Sequence, residues 1–192
     1  FSIFDINTRA FDELPIYHAN EELLKDQSKG FYQAVSEHFF TINNSLLVYN
    51  FRWGSTIYTY NLNSAKQASY PVQSEHIPNI RKYISAKDLR DIPKLVEYMG
   101  SGPHFISTEY DTESQLYYRG YYELVQNTAG ESEKKNYLMV LDKSFEVLKE
   151  FEIEQPSGNN PVINRGKVYI QTAPAYWPEK KYEYLEVIPI VN

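Results

Sequence analysis

Three observations predict an all-β fold built from repeated four-stranded antiparallel units. Aromatic residues make up 16% of the 192 positions, with 18 Tyr and 10 Phe, residue types that suit the half-buried faces of pleated sheets. A hairpin pattern recurs at one offset: Phe4-Asp5-Ile6-Asn7-Thr8 with Pro15 is matched, 56 positions on, by Tyr60-Asn61-Leu62-Asn63-Ser64 with Pro71. Ahead of the later hairpins lie paired apolar runs separated by turn residues, which brings each unit to four short strands. Repetition of such a unit is the sequence sign of a β-propeller blade.

Taken in order, Ile3 and Phe4 end a strand that turns through Asn7-Thr8, since Asn tolerates φ > 0 and favours tight hairpins. The segment 19–29, polar apart from Leu23 and Leu24, reads as a helical turn or a loop. The second unit opens with strands at 38–42 and 46–53, separated by Asn43-Asn44-Ser45, and closes with the hairpin around Asn61. Asn43-Asn44-Ser45 also fits the N-glycosylation pattern, but between two strands its simpler reading is turn chemistry.

Leu89, Ile92, Leu95, Val96 and Met99 then fall at helical spacing, with Asp91 as a cap ahead of Ile92-Pro93. They predict one short inserted helix near 87–99. Strands at 103–110 and 116–125 follow, then a looser third hairpin from 138–141 through Asp142-Lys143-Ser144 to 145–148 and 151–153. The last unit has strands at 161–164 and 167–172, split by Arg165-Gly166, and a further strand within 182–191. Blade boundaries accordingly fall near 1–18, 31–76, 101–155 and 159–192 of a single partial domain, about three and a half blades. A closed propeller has at least about four blades, and four periods of 56 exceed 192 residues. The remaining blades are expected upstream of Phe1, where the chain opens in mid-strand.

Composition narrows the functional classes. With 42% apolar residues the chain can bury a core. A net charge of −6, and no Lys/Arg cluster longer than a pair, give a phosphate backbone nothing to dock on, so nucleic acid is not an expected partner. No apolar run approaches the length of a membrane helix. Zero cysteines remove disulfides and thiolate metal sites without locating the compartment.

No motif declares a catalytic or metal site. His18, His38, His76 and His104 include no pair at the short spacing that marks a metal site on one strand or helix. The expected cofactor and metal are therefore none. Pairs such as Glu109 with Asp111, or Asp12 with Glu13, are commonplace among 25 acidic residues and read as solvated edges or turns. No nucleophile elbow or glycine-rich phosphate loop occurs.

The group that stands out is aromatic and basic: Arg52-Trp53 at a strand end, Tyr117-Tyr118-Arg119 with Tyr121-Tyr122 in another strand, and Tyr176-Trp177 in a proline-flanked loop. Exposed Trp and Tyr stack on sugar rings, and Arg beside them offers paired donors to carboxylates. Arg52, Trp53, His104, Tyr118, Arg119, Tyr176 and Trp177 are thus the candidate ligand-binding residues. The competing reading is packing, because alternating strand aromatics also fill the space between blades.

The succession Phe-Ser-Ile-Phe-Asp, Thr-Ile-Tyr-Thr-Tyr-Asn-Leu, Gln-Leu-Tyr-Tyr-Arg-Gly-Tyr-Tyr and Asn-Tyr-Leu-Met-Val-Leu-Asp-Lys-Ser-Phe-Glu-Val-Leu resembles one family along about 1–190. It is similar to the carboxy-terminal half of TolB-like six-bladed propeller lipoproteins of unknown function from Bacteroidetes, most specifically over 116–153. The resemblance implies a six-bladed ring, export to the periplasm or outer-membrane surface, and a lipid anchor on a cysteine outside this chain, which would be its one membrane contact. It carries no functional residue.

The function expected is a non-catalytic, envelope-associated module that binds a glycan, a peptide or an envelope protein at one end of the ring, where inter-strand loops cluster. The alternatives are a lyase or hydrolase using channel-facing His104, Arg119 and Glu109, and a structural subunit of an outer-membrane assembly.

Overall fold

The computed structural model describes residues 2–5, 7–14, 38–52, 54–76, 85, 87–100, 104–126, 130, 132–153, 162–165, 167–171 and 184–187. The segment 19–29, Trp53, Tyr176 and Trp177 lie outside these residues. Four sheets are present among them. The first holds β1 (Ser2–Asp5) and β2 (Ala10–Glu13); the second β3 (His38–Asn43), β4 (Leu46–Phe51), β5 (Thr56–Asn61) and β6 (Gln67–Pro71). The third holds β7 (His104–Asp111), β8 (Leu116–Gln126), β9 (Ser132–Leu141) and β10 (Val147–Ile153); the fourth β11 (Val162–Asn164), β12 (Lys167–Gln171) and β13 (Tyr184–Val187).

Within each sheet, strands adjacent in sequence pair antiparallel. One helix, α1 (Ile92–Gly100), follows a 3-10 turn at Asp88–Arg90. Asp91 caps it as expected, its Oδ1 accepting from the Lys94 amide at 3.4 Å. The protein is therefore all-β, with antiparallel four-stranded sheets and a short helix; the described residues close no ring.

The repeat seen in sequence is a repeat of register. Ser2 pairs with Glu13 and Phe4 with Phe11; 56 positions later Tyr58 pairs with Ser69 and Tyr60 with Gln67. The connecting turns are alike too. Each ends on a left-handed residue that is not glycine: Arg9 (φ 53°), Ala65 (φ 54°) and, between β9 and β10, Phe145 (φ 65°). That conformation costs an L-residue about 1–2 kcal/mol, and side-chain hydrogen bonds at the turn entrance offset it. Asn61 Oδ1 accepts from the Asn63 and Ser64 amides at 3.0 and 2.9 Å. Asp142 Oδ1 does the same for Ser144 and Glu146 at 2.8 and 2.9 Å. The Asp142 turn closes one residue sooner, and a register shift between Val147 and Lys149 restores the pairing.

Packing joins the second sheet to the third, and the third to the fourth, through one apolar layer each. Leu47, Tyr49, Phe51 and Tyr60 of the second sheet gather beside Leu14, just past β2. Val48 and Ile57 point the other way, into a layer with Phe105, Tyr117, Tyr121, Tyr137, Met139 and Leu141 of the third sheet. Tyr118, Leu138, Val140 and Ile153 face Val168 of the fourth. Successive residues of a strand point to opposite faces, so β4, β8 and β9 are buried on both sides. This is why their sequences run apolar without the polar-out alternation of a half-exposed strand. Each buried large aliphatic side chain contributes about 1.5–3 kcal/mol.

The first strands of successive sheets adjoin: β3 and β4 lie against β7, and β7 against β11. Asn50 of β4 locks that seam, donating to the Ile106 carbonyl at 3.0 Å and accepting from Thr108 Oγ1 at 2.9 Å.

Candidate binding site

Several elements finish close together at one end of the second and third sheets. The turn between β4 and β5 carries Arg52, whose carbonyl accepts from the Phe105 amide at 2.8 Å, which ties the turn to the start of β7. The Arg52 Nη2 donates to the Tyr122 hydroxyl, near the end of β8, at 3.3 Å. Lys134, at the start of β9, holds its Nζ 3.9 Å from the centre of the same Tyr122 ring, a cation–π distance. His104 is the register partner of Tyr122, and their rings are 4.6 Å apart. Three side chains from three elements meet on one tyrosine.

The electrostatics of this cluster reflect its setting. Burial, and then the nearby Arg52 charge, hold the Lys134 ammonium below the usual lysine range. Burial lifts the phenol of Tyr98, on α1, to about 12, while Arg52 pulls it partly back. Arg52 and Lys134 are half-buried, His104 fully so.

Arg119 reaches the same turn from below. It is completely buried, its Cζ lies 3.9 Å from the centre of the Phe105 ring, and it donates to the carbonyls of Ser55 at 2.5 Å and Gly54 at 2.8 Å. Burial drives its guanidinium down to about 9, an effect Tyr58 partly counters. The guanidinium is a clamp on the turn that carries Arg52. Tyr118 goes elsewhere: it packs with Leu138, Val140 and Val168, and its hydroxyl lies 3.2 Å from Ser114 Oγ.

Of the seven residues singled out in sequence, Arg52 and Arg119 meet at the turn at 52–55, His104 packs on Tyr122, Tyr118 lies on the face of β8 opposite to Arg119, and three lie outside the described residues. The grouping of His104, Arg119 and Glu109 does not form. Arg119 pairs across the strands with Thr108 and Glu109 with Tyr118, which puts Arg119 and Glu109 on opposite faces. Burial raises the Glu109 carboxyl, with a Ser107 hydrogen bond opposing. Its neighbour Asp111 is a turn residue, accepting from the Ser114 amide at 2.8 Å.

Lys134 and Tyr98 were not among the sequence candidates. The Lys134-Lys135 pair, opening a strand in an acidic chain, was the signal available. Among the described residues no group of three His, Asp or Glu side chains is placed to hold a metal ion, and no helix is long and apolar enough to cross a membrane.

A search of curated proteins returns no match. The crystal structure of a DUF4221 family member from Bacteroides vulgatus ATCC 8482 is similar, with a TM-score of 0.67 and 17% identity over 96% of this chain and 52% of that one. The chain thus spans about half the length of that relative, and likeness at this identity speaks for the fold. The family model described as "Domain of unknown function (DUF4221)" matches residues 1–152, and the chain belongs to that family.

Proposed function

We propose that this chain is part of a TolB-like, six-bladed β-propeller lipoprotein of the Bacteroidetes cell envelope, exported to the periplasm or outer-membrane surface, and that it works as a binding module without catalytic chemistry. Three features support the propeller: sheets stacked through single apolar layers, adjoining first strands, and outer hairpins sharing one register at a 56-residue offset. On this reading the four sheets are successive blades. The encoded sequence upstream of Phe1 tests it: a lipoprotein signal with its cysteine and further four-stranded repeats are expected, and a start codon directly before Phe1 would sink the ring.

The observation that carries the binding role is the meeting of Arg52, His104, Tyr122 and Lys134 at the end of the sheets where the β4–β5 and β8–β9 connections lie. Connections between strands are where propellers and other rigid β scaffolds place recognition groups. The ligand is a glycan, a peptide or an envelope protein. An enzyme built on His104, Arg119 and Glu109 is disfavoured by the opposite facing of the last two. The test is a screen of glycans and peptides against the full chain and its Arg52→Ala variant. Binding that weakens in the variant is expected; binding indifferent to Arg52 moves the site elsewhere.

A further inference from the structure

We propose that residues 72–76, the strap that follows β6, are an acid-released latch between the second and third sheets, closed while the Glu150 carboxylate is ionised and opened when it takes up a proton.

One carboxylate holds the strap through two partners. Glu150 lies on β10, and its Oε2 accepts from the Glu75 amide at 2.8 Å while its Oε1 accepts from the Tyr121 hydroxyl. That hydroxyl accepts in turn from Ser74 Oγ at 3.0 Å, and Ser74 Oγ accepts from the His76 amide at 3.0 Å. The His76 ring stacks on Tyr137 with centres 4.7 Å apart, and Tyr137 stacks on Tyr121 at 4.9 Å. Val72, only 2% exposed, anchors the start of the strap in the apolar layer between the two sheets. A segment whose own strand ends at Pro71 is thus tied to the next sheet by polar contacts that meet on Glu150.

Those contacts depend on charge. An ionised carboxylate accepts at both oxygens, whereas the protonated acid carries a hydrogen on one of them. Hydrogen bonds to an ionised group are also roughly twice as strong as neutral ones, so one proton weakens both ties together. The strand registers and their alternation put Tyr121 and Glu123 of β8, Tyr137 and Lys135 of β9, and Glu152 of β10 on the same face as Glu150. Glu123 accepts from the Tyr137 hydroxyl at 2.9 Å, and Glu152 lies 3.4 Å from the Lys135 ammonium. Glu75 and His76 ride on the strap itself. The latch therefore adds protection while Glu150 is charged and loses it on acidification. Release uncovers Tyr137 and the rim of the apolar layer beneath Val72.

Hydrogen exchange of the full chain tests this, read as the protection of amides 74–76 relative to an unstructured chain at about pH 7 and about pH 4. Protection is expected to fall about tenfold or more at the lower pH, while the amides of β9 stay protected. Glu150→Gln is expected to show the lowered protection already at the higher pH and to change no further on acidification. His76→Phe keeps a ring on Tyr137 without a titrating imidazole, and Glu123→Gln removes the neighbouring carboxylate; both should release as the native chain does. Circular dichroism of each variant checks that the sheets are intact. Native protection in Glu150→Gln, or a pH response abolished by either of the other two variants, overturns the latch. So does loss of protection in β9 together with the strap, which would be acid unfolding of the third sheet as a whole.

Discussion

The Arg119 guanidinium donates to the Ser55 carbonyl at 2.5 Å, joining the middle of the third sheet to the turn that opens β5. The bond is charge-assisted and buried, and a second one to Gly54 accompanies it. Each such bond is worth about 1.5–3 kcal/mol. Against them stands the desolvation of a buried cation, which here is stabilised by two carbonyls and the Phe105 ring. The hydrogen bonds should win narrowly, because Ser55 is itself buried and its carbonyl would be stranded. Arg119→Met is expected to lose about 2 kcal/mol in urea unfolding. Arg119→Lys should be no better, since one ammonium cannot span both carbonyls. A methionine variant as stable as the native chain would show that the clamp is neutral.

Alkaline pH should unfold the protein through its buried tyrosines. Burial lifts the phenols of Tyr49 and Tyr98 to about 12. It raises those of Tyr117, Tyr118, Tyr121 and Tyr137 as well; Glu150 adds to the rise at Tyr121 and Glu123 at Tyr137. The folded chain keeps these protons longer than the unfolded chain, so their stabilisation is complete below about pH 10 and is lost as pH climbs above it, through about 12 for Tyr49 and Tyr98. Those two each contribute up to about 1.4 kcal/mol per pH unit across that window. Arg119 acts the other way: its folded value near 9 lies below the ordinary one, so it adds stability as pH rises above about 9. One arginine does not offset six tyrosines. Tyrosinate absorbance and circular dichroism should therefore change together above pH 10; ionisation of these phenols near pH 10 with the sheet signal intact would refute the burial argument.

The outer turns offer a sharper measurement. Asn61→Ala removes the acceptor for two amides and is expected to destabilise by about 1 kcal/mol. Ala65→Gly relieves a left-handed alanine at φ 54°. The relief of about 1–2 kcal/mol exceeds the roughly 0.5–1 kcal/mol of added chain entropy, so a small gain is expected. Chemical denaturation of both variants and of their double mutant checks the signs. A destabilised Ala65→Gly would mean that the alanine methyl has a packing role.

What the sequence disclosed was local. The helix around Ile92 was legible because its apolar spacing and Asp91 cap lie within one short segment. The hairpins at Asn61 and Asp142 were legible because turn chemistry is fixed by neighbouring residues. The contact between Arg52 and Tyr122 spans 70 positions and that between Arg119 and Ser55 spans 64; no local period encodes which sheet faces which. Arg119 illustrates the gap. As a lone base among tyrosines it invited a ligand reading, whereas its neighbours across the sheet interface make it a clamp. Lys134 escaped for the opposite reason: a lysine at a strand start is ordinary until the ring beneath it is known.

Burial of both faces of the central strands yields a test of the stacked arrangement itself. Leu138 and Met139 are consecutive in β9 and both fully buried, one facing the fourth sheet and the other the second. In a sheet with one wet face, alanine at adjacent positions would destabilise at one and not the other. Here Leu138→Ala and Met139→Ala should each lose about 2–5 kcal/mol. Phe40, in β3 and 54% exposed, provides the contrast, and Phe40→Ala should lose far less. Unfolding free energies of the three variants decide the matter, since the stack requires the first two to be alike. If Leu138→Ala were as mild as Phe40→Ala, the fourth sheet would not be packed against β9 in solution, and the succession of packed sheets would end at the third.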